Sequence, residues 1–146
     1  MKKLTPLLLG VLVLSIVLPV FGRPETNALP VKPAVPALKS GQPRKVDVEQ
    51  FDQLRQDKAN VVLDVRTKKE FEAGHIPNAV NLDYNAPEFA QRVSALDTNK
   101  VYLVHCAAGV RSARACAQME QLGFKHLVDL APGFKAWEKA GKPVEK

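Results

Sequence analysis

The sequence predicts an α/β fold in which a mostly parallel sheet of about five strands is covered by helices on both faces. Two observations support this prediction. Short apolar segments alternate with helical patterns from Val46 to Ala140. Segments such as Val61–Val65 are apolar almost throughout, which is typical of parallel strands that are buried on both sides. Ligands of such sheets bind at the carboxyl ends of the strands, so functional residues are expected there.

The first predicted elements are a short strand at Val46–Val48, a helix at Glu49–Gln56 and the strand Val61–Val65. Asp64 interrupts the apolar run of this second strand. Burial of a carboxylate is costly unless it is paired. We therefore interpret Asp64 as a hydrogen-bonded brace at the strand's carboxyl end, and a general base for a nearby nucleophile is the alternative.

Capping signals mark the next helices. Thr67 can cap a helix that runs to Ala73, with Glu70 at the third helical position as in a capping box. A strand follows at Ala79–Leu82. The segment Pro87–Leu96 is predicted to be helical because proline suits the first turn of a helix.

The last four elements alternate in the same way, and we predict a central strand, a helix, a final strand and a closing helix. In order, they are Val101–Cys106, Arg111–Leu122, His126–Leu130 and Gly133–Ala140. The first of these helices has an apolar stripe that consists of Ala115, Cys116, Met119 and Leu122. Cys116 is therefore predicted to be a structural core residue, and a redox partner for the other cysteine is the alternative.

The loop between the central strand and its helix carries the most chemical information. It reads His105-Cys106-Ala107-Ala108-Gly109-Val110-Arg111-Ser112. Such a loop directs several backbone N–H groups at one point, and the helix N-terminus adds partial positive charge there. These groups should lower the pKa of the Cys106 thiol. Gly109 lets the chain curl, Arg111 can meet an anion, and Ser112 can cap the helix. The alternative is that Cys106 is a small buried hydrophobic residue.

Five short motifs, in this order and spacing, resemble the single-domain rhodanese family over about Val46 to Ala140. They are Leu63-Asp64-Val65-Arg66, Glu70-Phe71, Gly74-His75-Ile76-Pro77-Asn78-Ala79, the loop from Cys106 to Ser112, and Gly133 with Trp137. Two features depart from the family pattern. Ala107, Ala108 and Val110 are apolar where family loops often carry polar or basic side chains, and Pro132 stands where a glycine is common.

The resemblance implies a rhodanese-like three-layer α/β fold and a sulfurtransferase activity without a metal or an organic cofactor. Cys106 would be the catalytic residue that carries a persulfide. The substrate-binding candidates are Ala107, Ala108, Gly109, Val110, Arg111, Ser112 and Arg66. The candidates for structural support are Asp64, Glu70 and His75.

The implied reaction takes a sulfane sulfur from a small anionic donor such as thiosulfate and passes it to cyanide, a thiol or a protein acceptor. Two other functions stay open. A phosphatase or arsenate reductase also combines a cysteine with an arginine, but those loops resemble Cys-X5-Arg, whereas here the spacing is Cys106-X4-Arg111. A non-enzymatic persulfide carrier or redox-partner module is favoured by the apolar loop residues. A structural module with an inert thiol is a further possibility.

Four further residues have mainly structural predictions. Arg66 can form an ion pair with Glu70 or turn toward a donor anion, and the ion pair is the preferred interpretation. His75 should hydrogen-bond within its turn. His105 should be badly placed as a base for Cys106, because successive strand side chains point to opposite faces. Trp137 is predicted to lie in the core.

The N-terminus has the layout of a secretory signal peptide. Lys2 and Lys3 precede a charge-free run, Leu4–Gly22, that Pro19 interrupts. Residues 1–22 are thus predicted to be cleaved, with a cut after Ala28 as an alternative, and the protein to be exported to the periplasm or secreted. An uncleaved membrane anchor is the competing interpretation. Residues 23–45 are predicted to be a proline-rich linker, and residues 46–146 the domain.

Composition is that of one soluble globular domain, with 25% charged and 46% hydrophobic residues. Loss of residues 1–22 would remove two lysines and no acidic residue, which would lower the net charge from +6 to +4. No cluster of Lys and Arg with interleaved aromatic residues argues for nucleic-acid binding. No His, Cys, Asp and Glu residues have the spacing of metal ligands, and a monomer is expected.

Overall fold

The structure, a computed structural model, describes residues 42–146. The predicted signal peptide and most of the predicted linker lie outside the described residues. Among the described residues, no helix has the length and apolar character needed to cross a membrane.

A five-stranded, wholly parallel sheet forms the centre of the domain, with the strand order β1-β5-β4-β2-β3. The strands are β1 (Arg44–Val46), β2 (Val61–Asp64), β3 (Val80–Asn81), β4 (Val101–His105) and β5 (His126–Leu130). The helices are α1 (Val48–Leu54), α2 (Lys68–Ala73), α3 (Phe89–Ser94), α4 (Val110–Gln121) and α5 (Gly133–Lys139). The predicted α/β fold with a parallel sheet is confirmed.

Two hydrophobic cores, one on each face of the sheet, follow from the alternation of side chains along the strands. On one face, Tyr102 and Val104 of β4 pack in the same cluster as Met119 of α4. On the other face, Leu103 belongs to the cluster that contains Trp137 of α5. The prediction that helices cover both faces, and that Trp137 is a core residue, is therefore confirmed.

The strand order reverses between β2 and β4. From β2 the chain continues outward to β3, whereas from β4 it continues in the opposite direction to β5. In an open parallel sheet, a crevice forms at the carboxyl ends of the strands at such a reversal. The segments that leave β2 and β4 at this edge begin with Val65 and Cys106, so the topology brings the Asp64–Arg66 segment next to the Cys106 loop.

Several predicted elements have ends that differ from the structure by one or two residues, and two of these differences have an identifiable physical reason. The first strand covers Arg44–Val46 rather than Val46–Val48, so it begins inside the predicted linker. The reason is that Asp47 caps α1: its side chain accepts a hydrogen bond from the Gln50 amide, and this places Val48 in the helix.

Leu122 was predicted to be a buried member of the α4 stripe, but it is 42% exposed. The helix ends at Gln121, and Gly123 follows with a φ of 89°, which turns the chain. Phe124 is then returned to the helix, where its amide donates to the Met119 carbonyl, and its ring occupies the core. The other stripe residues are buried as predicted.

Candidate active site

Cys106 follows the last residue of β4, and its loop ends at Gly109, the N-cap of α4. Gly109 has a φ of 87°, and its amide donates a hydrogen bond to the Cys106 sulfur over 3.1 Å. Cys106 is 2% exposed, so its sulfur lies at the base of the loop, while Val110 at the rim is 62% exposed. The loop thus places a buried sulfur directly before the N-terminus of a twelve-residue helix.

Opposing effects act on the pKa of the Cys106 thiol. Burial would raise this pKa, but the amides of Ser112, Ala108 and Arg111 and the Ser112 hydroxyl oppose burial and together lower it below its ordinary value. The predicted lowering of the thiol pKa is therefore present in the structure. An anion on this sulfur is stabilised by backbone amides that are already oriented toward it.

The N-terminus of α5 fixes the orientation of the loop. The Phe134 amide donates to the Cys106 carbonyl over 2.7 Å, and the Lys135 amide donates to the Ala107 carbonyl over 3.1 Å. These bonds hold both carbonyls toward α5. Since each peptide plane carries its N–H opposite its carbonyl, the Ala107 and Ala108 amides point away from α5. The Ala108 amide is one of those that lower the pKa of the Cys106 thiol.

Gly133 makes this close approach possible. It has a φ of 69°, and a Cβ atom there would lie 2.6 Å from backbone atoms of Ala107 and Ala108. Gly109 is under the same restriction, because its Cβ would lie 2.0 Å from the Ala131 carbonyl oxygen. In the sequence, Gly133 stood out only as part of a family motif, and its support of the loop was not predicted. A glycine as the first residue of the last helix is the signal that could have indicated this support.

Arg111 is held by Glu70. Its two terminal nitrogens donate to the two Glu70 carboxylate oxygens, each over 2.8 Å. Glu70 also completes the predicted capping box with Thr67, which is confirmed. The Arg111 hydrogen bond, opposed by partial burial and assisted by Thr67, lowers the pKa of Glu70 to about 2. The positive charge of Arg111, at the start of α4, is therefore paired with the Glu70 carboxylate.

Asp64 and Arg66 form a second, buried pair. The Arg66 guanidinium donates to both Asp64 oxygens, at 2.6 to 3.0 Å, and to the Gly74 carbonyl at 2.7 Å. The Arg66 guanidinium also lies 3.9 Å from the centre of the Phe134 ring. The preferred pairing of Arg66 with Glu70 was wrong, because Glu70 is occupied by Arg111 and Asp64 lies closer along the same strand end. Asp64 has the geometry of a brace.

The two histidines singled out from the sequence have different surroundings. His105 is fully buried between Phe51 and Phe134, on the opposite face from Cys106, and both of its ring nitrogens lack hydrogen-bond partners in the described part of the chain. Burial lowers its pKa to about 4. His75 lies within hydrogen-bond distance of the Phe71 carbonyl through Nδ1 and stacks on the Phe71 ring.

Contrary to the prediction, Ser112 does not cap α4. Because Gly109 already takes the N-cap position, Ser112 lies within the first turn, fully buried, and its hydroxyl donates to the Gly109 carbonyl over 3.1 Å. Cys116 lies one turn further along and is also fully buried. Both thiols are free, and burial raises the pKa of Cys116 above its ordinary value. Cys116 thus has the surroundings of a core residue.

A cleft of about 240 Å³ lies beside the loop. Its lining includes Arg66, Glu70, Ala107, Phe134, Lys135 and Glu138. Lys135 and Glu138 are exposed. Nowhere in residues 42–146 do three His, Cys, Asp or Glu side chains come together in a way that could hold a metal ion. The arrangement therefore offers nucleophilic chemistry at one sulfur, with amides as its electrostatic support.

This chain is similar in sequence and in fold to several known proteins. The family model of the Rhodanese-like domain matches residues 47–140. A protein from Allochromatium vinosum named "Sulfurtransferase" is 32% identical over 101 residues, which cover 68% of this chain and 92% of that protein. "Thiosulfate sulfurtransferase 16, chloroplastic" from Arabidopsis thaliana is 33% identical over 93 residues, which cover 57% of this chain and 78% of that protein.

Other relatives are longer, and this chain spans 56% and 50% of the length of two of them. Among solved structures, the crystal structure of a rhodanese-related protein from Thermoplasma volcanium has a TM-score of 0.62 and 31% sequence identity. The matched region covers 70% of this chain and 97% of the Thermoplasma volcanium chain.

Proposed function

This chain belongs to the Rhodanese-like domain family, and we propose that it is a sulfurtransferase that moves a sulfane sulfur from thiosulfate or a similar donor through a persulfide on Cys106. The observation that carries the proposal is the position of Cys106: a buried sulfur with a lowered pKa, facing the amides of a loop and a helix N-terminus. The names of the relatives from A. vinosum and A. thaliana support the same class of reaction.

In the first half-reaction, the Cys106 thiolate attacks the outer sulfur of thiosulfate. A new S–S bond forms, the old one breaks, and its electron pair leaves with sulfite. The negative charge stays within the loop throughout, since a thiolate is replaced by a persulfide anion. The amides that oppose the effect of burial on the thiol pKa can stabilise this anion in the same way.

In the second half-reaction, a thiolate or cyanide attacks the outer sulfur of the persulfide, and the Cys106 thiolate leaves. We assign the cleft beside Ala107 to the part of the donor or acceptor that does not react. Lys135 and Glu138 are exposed charged residues of its lining, and Arg66 already has a carboxylate partner. Lys135 would attract anionic donors and anionic thiols, and Glu138 would oppose this attraction.

Phosphatase chemistry is disfavoured by two observations. The cysteine and arginine are separated by four residues rather than five, so the loop is smaller than one that surrounds a tetrahedral oxyanion. In addition, the Arg111 guanidinium uses both terminal nitrogens on Glu70. A persulfide carrier is the second candidate, because Ala108 and Val110 form an exposed, uncharged rim that a protein partner can cover.

The proposal is tested by mass spectrometry of the intact protein after exposure to thiosulfate. We expect the mass of one added sulfur atom, located on Cys106 and removed by cyanide. The Cys106→Ser variant should gain no sulfur, because serine has no comparable nucleophile at neutral pH. Unmodified Cys106, or a phosphoenzyme formed from an aryl phosphate, would contradict the proposal.

Cys116→Ser is the matched control among the cysteines. It should accept sulfur on Cys106 and keep most of the activity, while its stability falls on the order of 1 kcal/mol through burial of a hydroxyl. An inactive Cys116 variant would instead indicate a mechanism with two cysteines. The carrier is distinguished by kinetics: transfer from a protein persulfide would be rapid, and thiosulfate would have a very high KM.

A further inference from the structure

The cleft beside the Cys106 loop contains an unpaired charge of each sign. Lys135 and Glu138 both lie in its lining, three residues apart on α5. Residues at this spacing lie on the same face of a helix, where opposite charges can form an ion pair. Neither side chain forms an ion pair or a hydrogen bond within residues 42–146. As far as the described residues are concerned, both charges are available to a ligand.

Arg66 adds a hydrogen-bond donor in a fixed position to the same cleft. The residue is 4% exposed, and its Nε and Nη2 atoms donate to Asp64 and to the Gly74 carbonyl. Its Nη1 atom has no partner in the described part of the chain. None of the fully buried, unpaired side-chain atoms found there belongs to Arg66, so Nη1 is in contact with solvent. Because Arg66 lines the cleft, Nη1 offers its hydrogens to a ligand there.

This set of charges fits one kind of ligand better than others. A ligand with only a carboxylate is attracted by Lys135 and Arg66 and repelled by Glu138, and a ligand with only an ammonium group has the opposite balance. A ligand with both groups can place its carboxylate at Lys135 and Arg66 and its ammonium group at Glu138. Every charge then has a partner, and hydrogen bonds between charged groups are stronger than neutral ones.

The size and the position of the cleft restrict this ligand further. Its volume is about 240 Å³, below the roughly 300–1,000 Å³ of pockets for drug-sized ligands, so it suits a small molecule. Ala107, which follows Cys106, lies in the lining together with Glu70, which binds Arg111 at the start of α4. A small ligand in the cleft is therefore beside the loop that holds the reactive sulfur.

We propose that the sulfur acceptor is a small thiol that carries both an ammonium group and a carboxylate, of which cysteine is the simplest. Lys135 and Arg66 bind its carboxylate, and Glu138 binds its ammonium group. This inference rests on the proposed function, since it names the acceptor of the second half-reaction. The acceptor thiolate attacks the outer sulfur of the Cys106 persulfide, the S–S bond to Cys106 breaks, and its electron pair stays on the Cys106 thiolate. The product is the persulfide of the acceptor.

The test measures the second half-reaction by itself. The Cys106 persulfide is formed with thiosulfate, the excess donor is removed, and the loss of sulfur is followed by rapid quenching and intact-protein mass spectrometry. The acceptors are L-cysteine; cysteamine, which lacks the carboxylate; and N-acetylcysteine, which lacks the ammonium group. Rates are compared at equal thiolate concentration, because the thiolate is the nucleophile and the three thiols differ in pKa.

Two variants each remove one charge from the cleft. Glu138→Gln should slow transfer to cysteine and to cysteamine by about two- to fivefold, the range of an exposed ion pair, and should not slow transfer to N-acetylcysteine. Lys135→Gln should slow transfer to cysteine and to N-acetylcysteine, but not to cysteamine. Lys139→Gln is the matched control, because Lys139 is an exposed cation of the same helix outside the cleft lining. It should leave all three rates unchanged.

Two results would overturn the proposal. One is a rate with cysteine that stays the same or rises in Glu138→Gln, since the cleft would then select acceptors by negative charge alone. The other is a change of the same size with all three acceptors in either variant, because the altered residue would then act on the loop and not on the ligand.

Binding without sulfur transfer separates this inference from the proposed function. L-Serine has the charged groups of cysteine and an oxygen in place of the sulfur, so it cannot accept the sulfur. Titration with L-serine should shift the amide NMR signals of Lys135 and Glu138, and the Kd should rise about two- to fivefold in Glu138→Gln. A persulfide that does not form would contradict the proposed function, whereas the absence of these shifts would contradict the acceptor site.

Discussion

At the scale of single residues, the chemistry of Cys106 depends on a balance between burial and amide contacts. Burial favours the neutral thiol, whereas the loop amides and the Ser112 hydroxyl favour the anion, and the second group prevails. A base is not needed to deprotonate a thiol in these surroundings. This agrees with the positions of the other titratable groups, since Asp64 is paired with Arg66 and His105 lies on the opposite face of the sheet.

Arg111 provides a prediction at this scale. We expect the donor anion to displace Glu70 from the Arg111 guanidinium when it binds. Arg111→Ala should then raise the KM for thiosulfate about tenfold or more, because a charge-assisted contact contributes about 1.5–3 kcal/mol. Glu70→Gln should lower the KM, since it releases the guanidinium from its carboxylate partner. Arg111→Lys should recover only part of the loss, because a point charge does not reproduce the planar fork.

The measurement separates the two half-reactions and adds thermal unfolding. If Arg111 only braces the loop through Glu70, Arg111→Ala and Glu70→Gln should each lower the melting temperature and slow both half-reactions equally. An unchanged KM in Arg111→Ala, with both steps slowed, would exclude a role in donor binding.

At the scale of secondary-structure elements, the loop depends on α5 as much as on α4. The α5 N-terminus binds the carbonyls of Cys106 and Ala107, and its first residue, Gly133, leaves no room for a side chain. Interactions between two helix N-termini and one loop explain why the loop amides converge before any substrate arrives. Preorganisation of this kind reduces the cost of arranging dipoles during the reaction.

Gly133→Ala tests this arrangement. The new Cβ atom would lie 2.6 Å from the Ala107 and Ala108 backbone, so the loop must shift and the pKa of Cys106 should rise. We expect sulfur transfer to fall at least tenfold, measured together with the alkylation rate of Cys106. Gly123→Ala is the matched control: its φ is also positive, at 89°, but a Cβ atom there meets nothing within 4 Å.

Both variants carry the backbone strain of a side chain at positive φ, about 1–3 kcal/mol. Only Gly133→Ala should also change the thiol. Equal activity in the two variants at matched stability would show that α5 does not position the loop.

The carboxyl end of β4 contributes a pH dependence of stability through His105. Burial lowers its pKa from 6.5 to about 4 in the folded protein. Between these values the unfolded chain binds the proton and the folded chain does not, so stability should fall as the pH falls from about 6.5 to 4. The full difference corresponds to about 3 kcal/mol.

His105→Phe should reduce this dependence without loss of the fold. The ring lies between Phe51 and Phe134, and its nitrogens have no hydrogen bonds to lose within the described residues. The test is urea unfolding at pH 5 and pH 7.5. A pH dependence that is the same in both proteins would show that another group is responsible.

At the scale of the whole molecule, the parallel sheet and its reversal between β2 and β4 set the location of the site. The Asp64–Arg66 brace follows one of these strands and Cys106 the other, while the cores on both faces hold the strands in place. The N-terminal sequence pattern predicts export, so the compartment in which the protein acts is also open to test.

Export is tested by fractionation and N-terminal sequencing of the full-length chain expressed with its own N-terminus. We expect a soluble product that begins between Arg23 and Leu29. Full-length protein found solely in the membrane fraction would instead support the uncleaved anchor.

The sequence alone was sufficient for the order of the ten elements found in residues 42–146, for the parallel sheet, for the Thr67–Glu70 capping box and for the placement of Cys106 before a helix. These features depend on local patterns: apolar runs, capping residues and a glycine in a short loop. Local patterns did not predict the ends of the elements correctly, since capping by Asp47 and the turn at Gly123 moved the ends of β1 and α4.

Only the tertiary structure decided which charges pair and what supports the loop. From the sequence, Arg66 could pair with Glu70 or an anion, and Arg111 could meet an anion. The strand order brings Glu70 to Arg111 and leaves Asp64 to Arg66. The close approach of Gly133 to the loop joins segments far apart in the chain. Side-chain pairing across a sheet depends on register and packing, which no local pattern in the sequence encodes.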